Sequence, residues 1–413
     1  MSKLAIKGGK AVRTKPYPTW PPYDKREEEQ LLGVLHSQNW GGYPSPNVKA
    51  AEFAAAFAKA HDAAYGVCVA NGSFTLDIAL KAADIEAGDE VIVPTYTWLA
   101  TAACAVNVNA VPVFVDVRPD NYTLDPALVE QAITPRTRAV IPVHLGSSVA
   151  DLDRLLAICK KHKLVLIEDC AHVHGAQWRG KGVGSHGDFG SFSFQSSKLM
   201  TAGEGGIVLT SNKLYEEKLQ SIVNCGRKGW GYDSFDGWLF GTNARLSEFQ
   251  AAVLIAQLAK LEKFTLKRQE NGAYLTKLLD DIPGLATIKP DKRMTRVTHY
   301  QYIFKYDASG FKGLHRDKFL EALAAEGINA DGDFYEPIQE RPIFAPKLSQ
   351  YPMLKKRYPK GINAKAAHTP VAHKAAYEEA VWLHYPYLMG TKKDVEDIAK
   401  AIWKIRDNLG ELI

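Results

Sequence analysis

Cysteine is scarce in this sequence, and long apolar runs are missing from it. The five cysteines among 413 residues are odd in number, scattered and without any C-x-x-C spacing. This pattern argues against a disulfide framework and a zinc site, and it indicates a reducing compartment. No stretch approaches the roughly 18 apolar residues of a membrane-spanning helix, and no apolar core of a signal peptide follows the early lysines. We therefore expect a cytoplasmic protein with no membrane partner and no bound metal.

The sequence also has no strong excess of charge of either sign. Lysine and arginine number 51 against 46 acidic residues, which gives a net charge of +5, and the basic residues are spread along the chain. Because nucleic-acid binding needs a clustered basic surface, we expect no nucleic-acid partner. The composition, 46% hydrophobic and 23% charged, is ordinary for a globular protein.

Short apolar runs alternate with helical patterns between residues 65 and 210. The runs predict strands at Tyr65–Ala70, Glu90–Pro94, Val111–Asp116, Ala139–His144, Leu164–Asp169, Phe189–Phe194 and Ile207–Thr210. Helical patterns lie at Thr75–Ala83, Ala100–Val106, Pro126–Ile133 and Leu152–Lys161. This alternation predicts an α/β fold with a mostly parallel seven-stranded sheet sandwiched by helices. Sheets of this kind bind ligands at the carboxyl ends of their strands.

The character of the chain changes on either side of this region. Residues 1–22 are rich in Pro, Gly and Lys and predict an extended N-terminal arm, followed by helical patterns at Lys25–Ser37 and Lys49–His61. A long amphipathic helix is predicted from Leu246 towards Leu279, and mixed strand and helix patterns follow it, among them a strand at Tyr300–Tyr306. We therefore predict an arm at 1–22, a large domain at 23–262 and a smaller C-terminal α+β domain at 263–413.

An acidic group and a lysine follow two of the predicted strands. Asp169 ends the run VLIED, and Lys198 lies in a polar turn just past Phe189–Phe194. A buried lysine has a depressed pKa and can attack a carbonyl as the free amine. An aspartate on a pyridine nitrogen and a lysine that forms a Schiff base are the two groups that hold pyridoxal 5′-phosphate. The pair therefore suggests a site for that cofactor.

The segment EDCAH followed by FSFQSSK and GEGG closely resembles the DegT/DnrJ/StrS-type sugar aminotransferases, which are fold-type I pyridoxal-phosphate enzymes. The resemblance covers about residues 16–410. It implies that Lys198 carries the cofactor and moves the proton, that Asp169 pairs with the ring nitrogen and that His172 lies beside the ring. It also implies that the cofactor phosphate binds at Gly72, Ser73, the Phe74 amide and Ser193, and that Trp98 stacks on the ring. From the residues alone, Gly72-Ser73 is equally an ordinary helix start and Trp98 an ordinary core residue.

Further expectations depend on the same resemblance. Phe240–Leu246 resembles a family segment whose Asn, here Asn243, reaches the phosphate of a neighbouring subunit, which implies a homodimer with shared active sites. Tyr43, Gln195 and Tyr335 are candidate substrate contacts, although packing alone also accounts for Tyr43.

The branch that the sequence resembles most contains L-glutamine:scyllo-inosose aminotransferases and 3-amino-5-hydroxybenzoate synthases. We therefore expect an aminotransferase that moves an amino group from L-glutamine or L-glutamate to a cyclic ketone, first a keto-cyclitol such as scyllo-inosose. The alternatives are a nucleotide-linked keto-sugar acceptor, a dehydratase resembling 3-amino-5-hydroxybenzoate synthase, and a non-catalytic regulatory module that binds the cofactor. Related dehydratases carry His in place of the lysine, so Lys198 favours transamination.

Overall fold

The computed structural model of the chain describes residues 3–42, 47–229, 235 and 239–413. The strands are β1 Tyr65–Val69, β2 Glu90–Pro94, β3 Val111–Val115, β4 Thr137–Val140, β5 Val165–Asp169, β6 Gln177–Trp178, β7 Lys181–Gly182, β8 Phe189–Ser193, β9 Gly206–Thr210, β10 Leu285–Thr287, β11 Met294–Arg296, β12 Gln301–Tyr306, β13 Ala330–Asp331 and β14 Ala380–His384. The α-helices are α1 Lys25–Ser37, α2 Val48–Ala60, α3 Gly72–Ala82, α4 Ala100–Asn107, α5 Pro126–Ala132, α6 Leu152–His162, α7 Lys213–Val223, α8 Glu248–Asp280, α9 Arg316–Ala325, α10 Pro352–Arg357, α11 Pro370–Lys374 and α12 Lys392–Asp407.

A seven-stranded sheet with the order β1-β9-β8-β5-β4-β2-β3 confirms the predicted α/β architecture. Its strands pair in parallel except β9, which runs antiparallel to both of its neighbours. Side chains on β9 alternate, so that Val208 joins the apolar cluster on one face while Ile207 and Leu209 join that on the other. Both faces are therefore covered, as a buried parallel sheet requires.

Strand β4 is shorter than the sequence predicts. It ends at Val140, whereas the apolar run continues to His144. Pro142 has no N–H to donate to the ladder, and its carbonyl accepts the backbone N–H of Asp169 at 2.9 Å. The irregular segment after Val140 therefore fixes the end of β5, where the candidate site lies.

The C-terminal part of the chain forms an antiparallel sheet in the order β10-β12-β14-β13. Helix α8 connects it to the large sheet: Leu254 and Leu261 belong to the cluster beside the large sheet, and Leu275 and Leu279 to that beside the small one. The domain boundary predicted at 262 to 263 thus falls within one continuous helix. Helix α7, which Asn212 caps, was absent from the sequence-based prediction.

The N-terminal arm packs against its own chain. Leu4 is fully buried in the C-terminal apolar cluster. The Arg13 guanidinium pairs with Asp394 at 2.8 Å and Asp397 at 3.0 Å on α12. Among the described residues, no helix has both the length and the apolar character to cross a membrane.

Candidate active site

A cavity of about 910 Å³ lies at the carboxyl ends of the strands of the large sheet. It contains ten of the twelve residues that sequence reasoning selected. These are Gly72, Ser73, Phe74, Trp98, Asp169, His172, Ser193, Gln195, Lys198 and Tyr335. The chain therefore brings together groups that are up to 263 residues apart in sequence, from Gly72 to Tyr335.

Asp169 is the buried acid of the cavity. Its side chain ends β5 and accepts hydrogen bonds from the Thr101 hydroxyl at 3.0 Å and the Ala171 backbone N–H at 3.3 Å. Burial raises the pKa of Asp169 above its usual value, against the lowering effect of those hydrogen bonds and of Lys198. No described residue forms an ion pair with this carboxylate, so a cationic group in the cavity would lower the cost of its charge.

The neighbouring Glu168 points away from the cavity, as alternation along a strand requires. Its carboxylate accepts the backbone N–H groups of Gly184, His186 and Gly187 at 2.8–2.9 Å and contacts His144 Nε2 at 3.2 Å. Burial opposes ionisation, but the hydrogen bonds hold the pKa of Glu168 below its ordinary value. Glu168 therefore anchors the end of β5, and Asp169 alone of the two faces the cavity.

His172 is held in one tautomer. Its Nδ1 accepts the Gly146 N–H at 3.2 Å, so the neutral ring carries its proton on Nε2, which lies 3.1 Å from the Tyr335 hydroxyl oxygen. Burial, followed by the charge of Lys198, lowers the pKa of His172 well below its ordinary value. The ring stacks on Tyr300 at a centroid distance of 4.0 Å. His172 is consequently a neutral hydrogen-bond donor, and the Tyr335 hydroxyl keeps its own proton for donation.

Lys198 lies in the turn after β8 and is partly buried. Its Nζ is 4.4 Å from the centre of the Tyr300 ring, a cation–π distance. The preceding residues hold the turn: the Gln195 Oε1 accepts from the Ser197 N–H and hydroxyl, and the Gln195 Nε2 donates to Ser196. Both ends of the Gln195 amide are thus used within the turn, although the residue lines the cavity.

The first turn of α3 forms an anion site with Ser193. Helix α3 begins at Gly72, three residues before the predicted start, because the Asn71 side chain caps it by accepting the Phe74 N–H at 3.0 Å. The N–H groups of Gly72 and Ser73 belong to the first turn and therefore have no acceptor within the helix. A Cβ added to Gly72 would lie 2.4 Å from the Ser193 Cβ, so only glycine lets the helix approach this serine. N–H groups and a hydroxyl at a helix N-terminus suit a phosphate.

Three of the predicted residues lie at or beyond the cavity edge. Trp98 and Phe74 line the cavity but are 64% and 38% exposed. Asn243 is exposed, pairs in an isolated bridge with Asn224 and does not line the cavity of its own chain. Tyr43 lies outside the described residues.

Sequence reasoning missed several groups in the cavity. Thr101, Tyr300 and Gln301 contribute side chains to the site or to its acid, yet Tyr300 and Gln301 were read only as part of a strand pattern. His384 ends β14 and also lines the cavity. A polar residue at the end of an otherwise apolar run, as in VWLH, was the signal that could have identified it.

The cavity fits pyridoxal 5′-phosphate at both ends of that molecule. The α3 start with Ser193 suits its phosphate, and Asp169, buried with no ion-pair partner in the described parts of the chain, suits its protonated ring nitrogen. Lys198 lies in the same cavity and carries the amine that would hold its aldehyde carbon.

The family profile and the most similar curated proteins all belong to one group of aminotransferases. The sequence profile of the DegT/DnrJ/EryC1/StrS aminotransferase family matches residues 22–402. A relative from Streptoalloteichus tenebrarius is 46% identical over 413 residues, which is 100% of this chain and 99% of the relative, and carries the provisional name L-glutamine:3-amino-2,3-dideoxy-scyllo-inosose aminotransferase. A second protein of that organism, L-glutamine:2-deoxy-scyllo-inosose aminotransferase, is 39% identical over 420 residues, 99% of each chain.

A solved structure with the same fold is also found. The crystal structure of 3-amino-5-hydroxybenzoic acid synthase superimposes with a TM-score of 0.82 at 32% identity, covering 97% of this chain and 100% of that one.

Proposed function

This chain belongs to the DegT/DnrJ/EryC1/StrS aminotransferase family and is a pyridoxal-phosphate-dependent aminotransferase; we propose that it transfers the amino group of L-glutamine to a keto-cyclitol. The observation that carries the proposal is the presence of Asp169 and Lys198 in one cavity, in a chain whose full-length relatives are named for this donor and for inosose acceptors. A nucleotide-linked acceptor receives less support, because the relatives named for inosose acceptors are 39–46% identical to this chain over 99–100% of its length.

The residues of the cavity divide the chemical work. When bound, the cofactor withdraws electrons from the substrate carbon that loses its proton. The Asp169 carboxylate keeps positive charge on the ring nitrogen, since its own burial disfavours the unpaired anion. The Lys198 amine is placed to take the proton from the substrate carbon and to give it back afterwards, which would make it the general base and then the general acid. The imidazole of His172 is neutral and is held by Gly146 and Tyr335. It would therefore support the cofactor ring without adding a second charge to the site.

We further propose a homodimer in which Asn243 completes the phosphate site of the other subunit. Phe240 is 91% exposed, and Asn243 lies three residues further on, outside its own cavity. Around the cavity mouth, Trp98 and Phe74 are exposed as well. Exposed aromatic residues of this kind are typical of subunit interfaces.

Subunit mixing tests the shared site. Lys198→Ala and Asn243→Ala homodimers each have a defective site, but a mixed dimer contains one site with both native residues. If half of the dimers are mixed, activity returns to about a quarter of the wild-type value. Mixing that restores no activity, with subunit exchange demonstrated by tagged chains, would refute the contribution of Asn243 in trans.

The visible absorption spectrum of the holoenzyme tests the reaction. L-Glutamine should convert the band of the bound aldehyde form to that of the amine form, and scyllo-inosose should restore it. Restoration by a nucleotide-linked keto-sugar but by no keto-cyclitol would overturn the proposed acceptor. If neither L-glutamine nor L-glutamate changes the spectrum, the aminotransferase reaction itself would be refuted.

A further inference from the structure

Two threonine hydroxyls form a chain that ends on the Asp169 carboxylate. The Thr101 hydroxyl donates to the Asp169 Oδ2 at 3.0 Å, and the Thr97 hydroxyl oxygen lies 3.1 Å from that of Thr101. The Ala171 N–H donates to the Asp169 Oδ1 at 3.3 Å. Thr97 lies in the segment between β2 and α4, and Thr101 lies in the first turn of α4. The start of α4 thus supplies a side-chain donor to the acid at the end of β5.

The direction of both hydrogen bonds follows from the acceptor at the end of the chain. An ionised carboxylate only accepts, so the single proton of the Thr101 hydroxyl points to Asp169. The Thr101 oxygen can then only accept at its other contact, and the Thr97 hydroxyl donates to it. Hydrogen bonds in such a chain polarise one another, so Thr97 strengthens the donation from Thr101 to the carboxylate.

Thr101 can act on the cavity only through Asp169. Its side chain is 1% exposed and is not among the described residues that line the cavity, whereas Thr97 and Asp169 both line it. A valine at position 101 would fill nearly the same space with a methyl group. Asp169 would then face an apolar group where it now accepts a hydrogen bond, which disfavours its ionised form.

The hydrogen bond from Thr101 opposes the effect of burial on Asp169. Burial raises the pKa of Asp169, and the Thr101 hydroxyl is the foremost of the groups that lower it, ahead of the Ala171 N–H. Beside a basic ring nitrogen, a carboxylate of higher pKa would draw the shared proton towards itself. The electron-withdrawing power of the cofactor depends on that proton staying on the nitrogen. The hydroxyl therefore favours the arrangement in which the ring is cationic and the carboxylate is charged.

We propose that Thr101 is a positioning residue for the aminotransferase reaction, whose hydroxyl holds Asp169 as a charged acceptor for the proton on the cofactor's ring nitrogen. Thr97 orients the Thr101 hydroxyl and acts through it. This inference rests on the proposed role of Asp169 and is independent of which ketone the enzyme accepts.

Solid-state nitrogen-15 NMR of the holoenzyme, loaded with cofactor labelled at the ring nitrogen, tests the proposal without turnover. The wild-type signal should be that of a protonated pyridine, and in Thr101→Val it should move towards that of a neutral pyridine. The L-glutamine half-reaction of Thr101→Val should slow about tenfold, because Asp169 loses a charge-assisted hydrogen bond. Thr101→Ser keeps the hydroxyl and should return both readouts towards the wild type. A Thr101→Val holoenzyme with the wild-type nitrogen signal would overturn the proposal.

Thr137→Val provides the matched control. The Thr137 hydroxyl donates to the buried Glu90 carboxylate at 3.3 Å, at the start of β4, and neither residue is among those that line the cavity. This variant therefore removes the same kind of contact from another buried acid and should change neither readout. If it moved the nitrogen signal as far as Thr101→Val does, the effect would not be specific to Asp169 and the proposal would fail.

A cofactor analogue with carbon in place of the ring nitrogen separates the effect on Asp169 from damage to the cavity. The analogue keeps the phosphate and the aldehyde but offers Asp169 no proton. Titration of the cofactor-free proteins should therefore give the same affinity for the analogue in Thr101→Val as in the wild type. A weaker affinity in Thr101→Val would mean that the threonine supports the cavity itself, which would overturn its positioning role.

Variants of the two neighbours of Thr101 identify which step fails if the result is negative. Thr97→Val should move the nitrogen signal less than Thr101→Val, and the double variant should match Thr101→Val, because Thr97 acts through Thr101. A larger shift in the double variant would refute the orienting role of Thr97. If Asp169→Asn leaves the nitrogen signal unchanged, the proposed role of Asp169 fails together with this inference. If Asp169→Asn moves the signal and Thr101→Val does not, only the inference about Thr101 fails.

Discussion

Replacing Gly72 by alanine should damage the phosphate end of the site through one methyl group. The added Cβ would lie 2.4 Å from the Ser193 Cβ and 3.0 Å from its Cα, so relief requires movement of the β8 end or of the α3 start. Overpacking of this kind costs about 1–3 kcal/mol. The same displacement moves the free N–H groups of α3, and the affinity for pyridoxal 5′-phosphate should fall about tenfold or more.

Gly33 provides the matched control. It lies within α1, where an added Cβ would meet nothing within 4 Å. Gly33→Ala should therefore stabilise the protein by about 0.5–1 kcal/mol through helix propensity. Urea unfolding of the cofactor-free variants measures the difference between them, about 1.5–4 kcal/mol, and titration with the cofactor measures affinity. A Gly72→Ala protein with wild-type stability and affinity would refute the close packing of α3 on Ser193.

Three further predictions concern titratable groups. Lys198→Ala should lose the visible band of the bound cofactor and about a thousandfold or more in turnover. Asp169→Asn should slow turnover at least about a hundredfold. The same variant should stabilise the cofactor-free protein at pH 7, because the raised pKa of Asp169 means that its ionised form destabilises the folded state. This cost is full above the folded-state pKa and disappears as the pH falls through it. Burial lowers the pKa of His61 from 6.5 to about 4, so stability is full above pH 6.5 and falls towards pH 4. Urea unfolding at pH 7 and pH 5 should therefore show about 2 kcal/mol less acid destabilisation in His61→Gln than in the wild type, and equal losses would contradict the neutral state of His61.

The sequence predicted the large sheet well, because each strand is a short apolar run and ligands lie where such strands end. Asp169 and Lys198 could be placed together for that reason alone. The sequence alone could not show whether Glu168 or Asp169 faces the cavity, because neighbouring side chains of a strand point to opposite faces of the sheet. It also extended β4 to His144, because an apolar run does not reveal that Pro142 interrupts the ladder.

The groups contributed by the C-terminal sheet could not be predicted in the same way. Tyr300 and Gln301 belong to a run whose alternation only indicated a strand, and no local pattern reveals which pocket a strand faces. The contact between His172 and Tyr335 joins residues 163 positions apart. Such contacts depend on how α8 sets the small sheet against the large one.

This difference in predictability separates two parts of the enzyme's chemistry. The groups suited to the cofactor, such as Asp169, Ser193 and Lys198, come from strand ends and turns of the large sheet and have recognisable local patterns. The wall that carries Gln301 and His384 comes from the small sheet and depends on packing between the two. We therefore expect that changes in the second set alter acceptor choice without altering proton transfer. It follows that exchange of side chains on β12 and β14 should change which ketone is accepted while the reaction with the amino donor continues.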